Sequence, residues 1–404
     1  TVIAARRAVH HAQIDYRESP SILTAREAHA AGSYVLPSEQ LVRGDSRAAI
    51  DGAAHRLTGA VTLGGQDQFY LEGHIAIASP EEDGAMHVLS STQHPSEMQH
   101  LVARALGIHS KDVVVECRRM GGAFGGKESQ AALVACIAAL LARATQRPVK
   151  LRLDRDVDMA MTGKRHDFEI DYEVGFTSEG LIQGVYFNFM SRCGMSADLS
   201  GAINDRAMFH ADNAYFLEHV TIDSHRCKTN TVSNTAFRGF GGPQGMFAIE
   251  YVLDEIARSL NLDPLDVRQR NFYGHTERNI TPYGQLIDDN IVQELTDQLA
   301  SQADYRTRRH EIDQFNATHR WRRRGIALTP VKFGISFTAT HLNQAGALVH
   351  VYKDGTVQVN HGSTEMGQGL FTKIAQVVSH EFSIDVENIK VTATDTSKVP
   401  KTSP

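Results

Sequence analysis

The sequence predicts an α+β protein with mixed sheets and flanking helices. Segments alternating apolar and polar residues recur around short turns, as the strands of hairpins do. Longer segments between them carry apolar residues at helical spacing. The two kinds mix without the strict strand–helix alternation of a parallel α/β sheet.

Taken in order, residues 1–50 are polar and Ala-rich, with a helical patch at 24–31, and read as the tail of a preceding unit. Residues 86–91 read as a strand that runs into the loop Thr92-Gln93-His94-Pro95. Ser96 is expected to cap a helix over 97–106, with Met98, Leu101, Val102 and Leu106 on one face. A strand at 112–117, a glycine loop at 120–128 and a buried core helix at 131–144 follow, then a strand at 148–153. Residues 168–174 and 181–190 flank a turn at 177–180, the pattern of a hairpin. Helices are expected at 248–260, after Asp263-Pro264, and at 292–303 and 305–318. A boundary is expected near Trp321, which divides the chain into units at 1–50, 51–320 and 321–404. Beyond it, Asp354-Gly355 signals a hairpin between 345–352 and 356–361. An amphipathic helix over 368–382 and a strand at 389–393 complete the reading.

The chain has 404 residues, 42% of them hydrophobic, enough for a large core. Its 41 basic and 47 acidic residues leave a net charge of −6, and no long basic run argues for nucleic acid. No apolar stretch reaches the ~20 residues that cross a bilayer. Its four cysteines, Cys117, Cys136, Cys193 and Cys227, form no C-x-x-C pair, which disfavours a zinc ribbon and suits a reducing cytoplasm.

The segment Met120-Gly121-Gly122-Ala123-Phe124-Gly125-Gly126-Lys127-Glu128 carries the most chemistry. Its glycines allow close approach of the backbone, and its amides favour an anionic or strongly polar ligand. It is neither a P-loop nor a dinucleotide fingerprint, since Glu128 follows Lys127 and the glycine register differs. Further polar, Gly-rich segments lie at 64–72, 92–94, 204–207, 235–244, 333–338 and 364–369. The last opens a helix, so its amides are read as a second anion-facing terminus.

These segments together, in this order, resemble the molybdenum-binding part of the molybdenum hydroxylases, and among them the xanthine dehydrogenases. The resemblance implies a molybdopterin cofactor holding molybdenum. It implies that Gln93, Phe124 and Arg238 stand beside the metal without ligating it, and that Gly367 and Gln368 contact the pterin. It further implies that Glu128 and Arg206 grip a purine in catalytic roles, that Phe240 and Phe337 sandwich it, and that Thr338 touches it. The implied reaction is hydroxylation of hypoxanthine and xanthine to urate, with water as the oxygen source. An aldehyde oxidase of the same fold and a non-catalytic cofactor-binding or assembly fragment are the alternatives. An aldehyde site typically lacks the acid and the arginine found here at 128 and 206. On the same resemblance, 1–50 is the tail of a hammerhead-like domain, 51–320 the first molybdopterin-binding domain and 321–404 the start of the second. The family's catalytic glutamate, in a Gly-Glu-Pro-Pro segment, is expected on a further C-terminal portion. Iron–sulfur clusters and FAD are expected on partner chains or domains, in a cytoplasmic hetero-oligomer without nucleic-acid or membrane partners. Ala123 stands where the family has another glycine, so a negative φ is expected there.

Overall fold

The structure, a computed structural model, describes residues 2–335 and 343–399. The chain opens with α1 (Val2–Val9) and α2 (Ala25–Ala30). Thr24 and Glu27 form a capping box at the start of α2. Then come β1 (Glu39–Arg43), α3 (Ser46–Asp51), β2 (His55–Leu63), β3 (Ile75–Pro80) and β4 (Met86–Ser90). They are followed by α4 (Pro95–Leu106), β5 (Val113–Cys117), α5 (Ala131–Thr145), β6 (Val149–Arg152) and α6 (Arg155–Met161). The hairpin strands β7 (Phe168–Phe176) and β8 (Ile182–Gly194) precede α7 (Ser200–Phe209) and β9 (Val220–Lys228). Four helices follow: α8 (Gly242–Leu260), α9 (Pro264–Asn271), α10 (Val292–Gln302) and α11 (Tyr305–Thr318). The last described elements are β10 (Ala347–Val351), β11 (Val357–His361), α12 (Leu370–Phe382), β12 (Ile389–Val391) and β13 (Thr394–Asp395).

Among the described residues three mixed sheets result, which is the α+β class expected. The largest has the order β1-β9-β8-β7-β2. Phe168, Ile170, Tyr172 and Val174 alternate on one face of β7 and are buried there, so period two fixes which face meets the core. Against that face lies α8, whose Ala248, Ile249, Val252, Leu253, Ile256 and Ala257 recur at helical spacing and are all buried. The opposite face receives α2 through Met190 and Cys227, and α3 through Gly175 and Gly184.

The second sheet has the order β13-β5-β4-β3-β6. Its β4 and β5 run parallel, joined through α4, and α4 and α5 cover it. The third sheet is β10-β11-β12, flanked by α12. After β12 the chain crosses to the second sheet, where β13 pairs with β5 through Thr394 and Cys117. That crossing seats the 364–369 turn beside the glycine loop, and Met120 N–H donates to the Glu365 carbonyl at 2.8 Å.

Three expectations need correction. The 131–144 segment is buried on one face only. Ala131, Val134, Ala135, Ala138, Ala139 and Ala142 pack inward, while Leu133, Ile137, Leu140 and Leu141 are 37–47% exposed. Small residues let this helix lie close on the sheet and turn its large side chains outward. Second, α4 starts at Pro95, with His94 at the cap position and no side-chain cap bond, because proline's fixed φ suits the first turn. Ser96 is therefore inside the helix. Third, α12 begins at Leu370, after Gly369 in the left-handed region at φ 74°.

Gly241 opens α8 at φ 97°, and a Cβ there would lie 1.9 Å from the Ile203 carbonyl oxygen of α7. Gly355, at φ 84° in the last hairpin turn, has nothing within 4 Å of such an atom. Gly241→Ala is therefore expected to cost more than about 3 kcal/mol, and Gly355→Ala about 1 kcal/mol, in denaturant titrations. Equal losses would contradict the close approach of α7 and α8.

Candidate functional site

Five segments meet over one cavity of about 940 Å³. Phe69 and Leu71 come from the segment after β2, and Gln93 from the loop after β4. The glycine loop brings residues 120–122, Phe124, Gly125 and Glu128. Residues 236–240 form the facing wall, and Met366, Gly367 and Gln368 close it from the third sheet's side.

Sterics assemble this wall. A Cβ on Gly125 would sit 2.9 Å from the Ala236 carbonyl group, so only glycine lets the two loops touch. Phe124, at φ 56°, and Phe240, at φ 50°, are both left-handed, as is Phe69 at φ 48°. A bulky residue there is strained by about 1–3 kcal/mol, which the surrounding packing must hold. Ala123 is not among the left-handed residues and is fully buried, as its methyl requires.

Polar contacts fix the rest. The Gln93 side-chain oxygen accepts from Gly125 N–H at 2.9 Å and Lys127 N–H at 3.3 Å, which leaves its NH2 end as the donor. Gly121 N–H donates to Glu72 at 2.9 Å. Among the described residues, the N–H groups of Gly122, Ala123 and Phe124 have no recorded partner. Lys127 is a fully buried strut. Its ammonium donates to the Glu72 carbonyl and the Ser91 hydroxyl, both at 2.7 Å, and lies 4.7 Å from the centre of the Tyr70 ring. Burial pulls its pKa down to about 8, against the opposing pull of Glu72.

Glu128 lies ahead of α5, not in its first turn, so the helix dipole does not account for it. It is half-buried, and its Oε2 is buried without a hydrogen-bond partner. Burial pushes its pKa up to about 8, and the charge of Asp198 adds to the rise. Arg206 does not line the cavity. It is buried behind Phe240, with its guanidinium 5.8 Å from that ring's centre and 5.4 Å from Phe333's, and it donates to the Gly334 carbonyl. Burial lowers its pKa. Arg238 is exposed at the cavity wall, its backbone N–H donating to the Phe124 carbonyl at 2.9 Å.

The structure thus brings Gln93, Phe124, Glu128, Arg238, Phe240, Gly367 and Gln368 to one cavity, with Arg206 one layer behind. Phe337 and Thr338 lie outside the described residues. One expectation is corrected: the anion at the start of α12 is the chain's own Glu365. Its carboxylate accepts from Gly367, Gly369 and Phe371 N–H at 2.8–3.2 Å. Gln368 likewise folds into its own turn, accepting from Met366 N–H and donating to the Thr364 carbonyl. The sequence reading gives no individual role to the rim residues Phe69, Leu71, Met120 and Met366, although the 64–72, 120–128 and 364–369 segments that contain them stand out in it. It reads Lys127 only as the lysine of a P-loop pattern that Glu128 breaks.

The fold and this cavity define a molybdopterin-binding protein. The Molybdopterin cofactor-binding domain matches residues 29–272 and again 298–404, and the chain belongs to that family. It is 44% identical over 393 residues to "Xanthine dehydrogenase" of Calliphora vicina, covering 97% of this chain and 29% of that protein. It is 43% identical over 398 residues to "Nicotinate hydroxylase hnxS" of Emericella nidulans, again covering 97% and 29%. The chain therefore spans less than a third of these relatives. Among solved structures, quinoline 2-oxidoreductase from Pseudomonas putida 86 superposes with a TM-score of 0.86 at 19% identity, over 100% of this chain and 54% of that one. That likeness concerns the fold alone.

The donor set fits the cofactor. The Gly122 and Phe124 amides, the Gln93 NH2 and the Arg238 guanidinium are all donors on cavity-lining residues, suited to oxo and phosphate oxygens. The volume is within the range of small-molecule sites. Among the described residues no helix is long and apolar enough to cross a membrane.

Glu128 generates a pH prediction. Its folded pKa is raised, so its contribution to stability is whole below its ordinary value of 4.5 and is lost as pH rises through about 8. Glu128→Gln is expected to match the parent near pH 4.5 and to exceed it increasingly up to pH 9, as read by denaturant midpoints. A constant offset at every pH would contradict the buried acid.

Proposed function

We propose that this chain supplies part of the molybdenum and purine site of an enzyme that hydroxylates hypoxanthine and xanthine to urate, with water as the oxygen source. The observation carrying this reading is the Glu128 carboxyl oxygen, buried without a partner at a cavity that shares the Phe240 ring with Arg206. An acid and a cation flanking one aromatic plate suit a flat heterocycle with polar edges.

When bound, the molybdopterin supplies the two-electron oxidant. In this reading Gln93, the Phe124 amide and Arg238 hold polar oxygens beside the metal, and Gly367 and Gln368 contact the pterin. Phe240 orients the ring, and the family resemblance adds Phe337 as the second ring of the sandwich and Thr338 as a further substrate contact. Glu128, protonated below about pH 8, donates to an acceptor on the ring. Arg206 stabilises negative charge that builds on the ring during attack at carbon, through the field behind Phe240. In this reading the base that would complete the reaction is expected on a further C-terminal portion, and iron–sulfur and FAD units of a cytoplasmic hetero-oligomer would supply the electron acceptors.

The nicotinate relative, at nearly the same identity, favours a second substrate: another electron-poor nitrogen heterocycle. Turnover of xanthine, nicotinate and benzaldehyde by the full-length protein separates the readings. Xanthine is expected to have the highest kcat/KM. Arg206→Met is expected to lower it about 10²–10³-fold while leaving benzaldehyde within a few-fold. Dominant nicotinate turnover would establish the second reading, and unchanged xanthine turnover in the variant would remove Arg206 from its role.

A further inference from the structure

Glu128 hangs between two fixed neighbours. On one side Lys127 is anchored to Glu72 and Ser91. On the other, Ser129 and Gln130 are both anchored to one carboxylate, that of Asp198. Its Oδ2 accepts from the Ser129 hydroxyl at 2.6 Å and the Gln130 amide at 2.9 Å. Its Oδ1 accepts from the hydroxyl of Thr235 at 2.6 Å and from Leu199 N–H at 2.7 Å. Gln130 in turn accepts from Gly163 N–H at 2.9 Å. Asp198 sits in the left-handed region at φ 44°, a conformation that an Asp tolerates better than most side chains. One carboxylate thus joins the end of the glycine loop to the 235–240 wall, where Phe240 stands.

We propose that Asp198 is a positioning residue that presents the Glu128 carboxyl to the cavity as a hydrogen-bond donor. The inference rests on the purine-site reading above. The tethers draw Ser129 and Gln130 away from the cavity and leave the intervening direction to Glu128. Asp198 also sets a negative charge near Glu128, which disfavours a second carboxylate. The cations in the region act from elsewhere. Lys127 is turned to Glu72 and Ser91, Arg165 donates to Gln66 and the Arg238 carbonyl, Arg238 lies at the cavity wall, and Arg206 stands behind Phe240. A donor at this edge selects ligands with a ring-nitrogen lone pair or a carbonyl oxygen there, over ligands presenting N–H.

Urate, which is not turned over in the proposed reaction, is the probe, and its binding to the full-length holoenzyme is followed from pH 6 to pH 9. In the parent, affinity is expected to fall as pH rises and Glu128 loses its proton. Glu128→Gln is expected to abolish that fall. Asp198→Asn is expected to move its midpoint down by on the order of one pH unit. An Asp198→Asn protein that binds urate more weakly at every pH, with the midpoint unmoved, would make Asp198 merely structural and overturn the proposal. Should that variant fail to fold, Thr235→Val removes one tether and keeps the charge. With that charge retained, it is expected to leave the midpoint in place but to weaken urate binding at pH 6, where the Glu128 carboxyl is less firmly presented, and unchanged affinity at pH 6 would again overturn the proposal. Failure of the parent to bind urate at any pH would instead sink the purine reading.

Discussion

The contact between Gly125 and Ala236 is the constraint on which the site depends. The two loops come from distant parts of the chain and touch backbone to backbone, with no space between them for even a methyl group. Gly126 is similarly tight against Gln68 and Tyr70, and Gly121 against Glu72. The glycine loop is thus wedged between the segment after β2 and the segment before α8. Each wall of the cavity is located by the loop, so displacing the loop would displace the walls together.

Burial of charge keeps the wedge in register. Tyr70, which packs under Gly126, donates to Asp158 at 2.7 Å, and that carboxylate also accepts from His74 N–H and the Thr162 hydroxyl. Burial alone would raise the Asp158 pKa, but these hydrogen bonds outweigh it and the pKa falls. Lys127 sits over the same Tyr70 ring. A buried ion without partners is expensive, so these groups have few alternative arrangements. On the proposed reading this rigidity has a use, because an acid and a ring could act on one heterocycle only if their separation is held.

Much of the fold was legible because periodicity survives in the sequence. The β7–β8 hairpin alternates cleanly, and α8 carries its apolar residues on one face. By contrast, α5 is apolar nearly all round, so spacing could not reveal that its leucines face outward. Side-chain bonds over two to six residues were equally invisible, as with Glu365 taking the amides before α12. The cavity's membership was read from joint resemblance, and the layer in which Arg206 lies was not. Depth behind a ring depends on how α7 meets α8, which no local pattern encodes. Asp198 carried no signal because its importance arises from partners at 129, 130 and 235.

The left-handed backbone at Phe124 and Phe240 bears on how this cavity could diverge. Glycine would relieve the torsion at either position but erase the aromatic surface. Asparagine tolerates the torsion but brings an amide where a flat apolar plate stands. Valine or isoleucine would add branching to an already crowded torsion. Single replacements therefore trade shape against backbone comfort at both rings. New ligand preferences are reached more readily through rim residues such as Leu71, which is 92% exposed, than through the plates themselves.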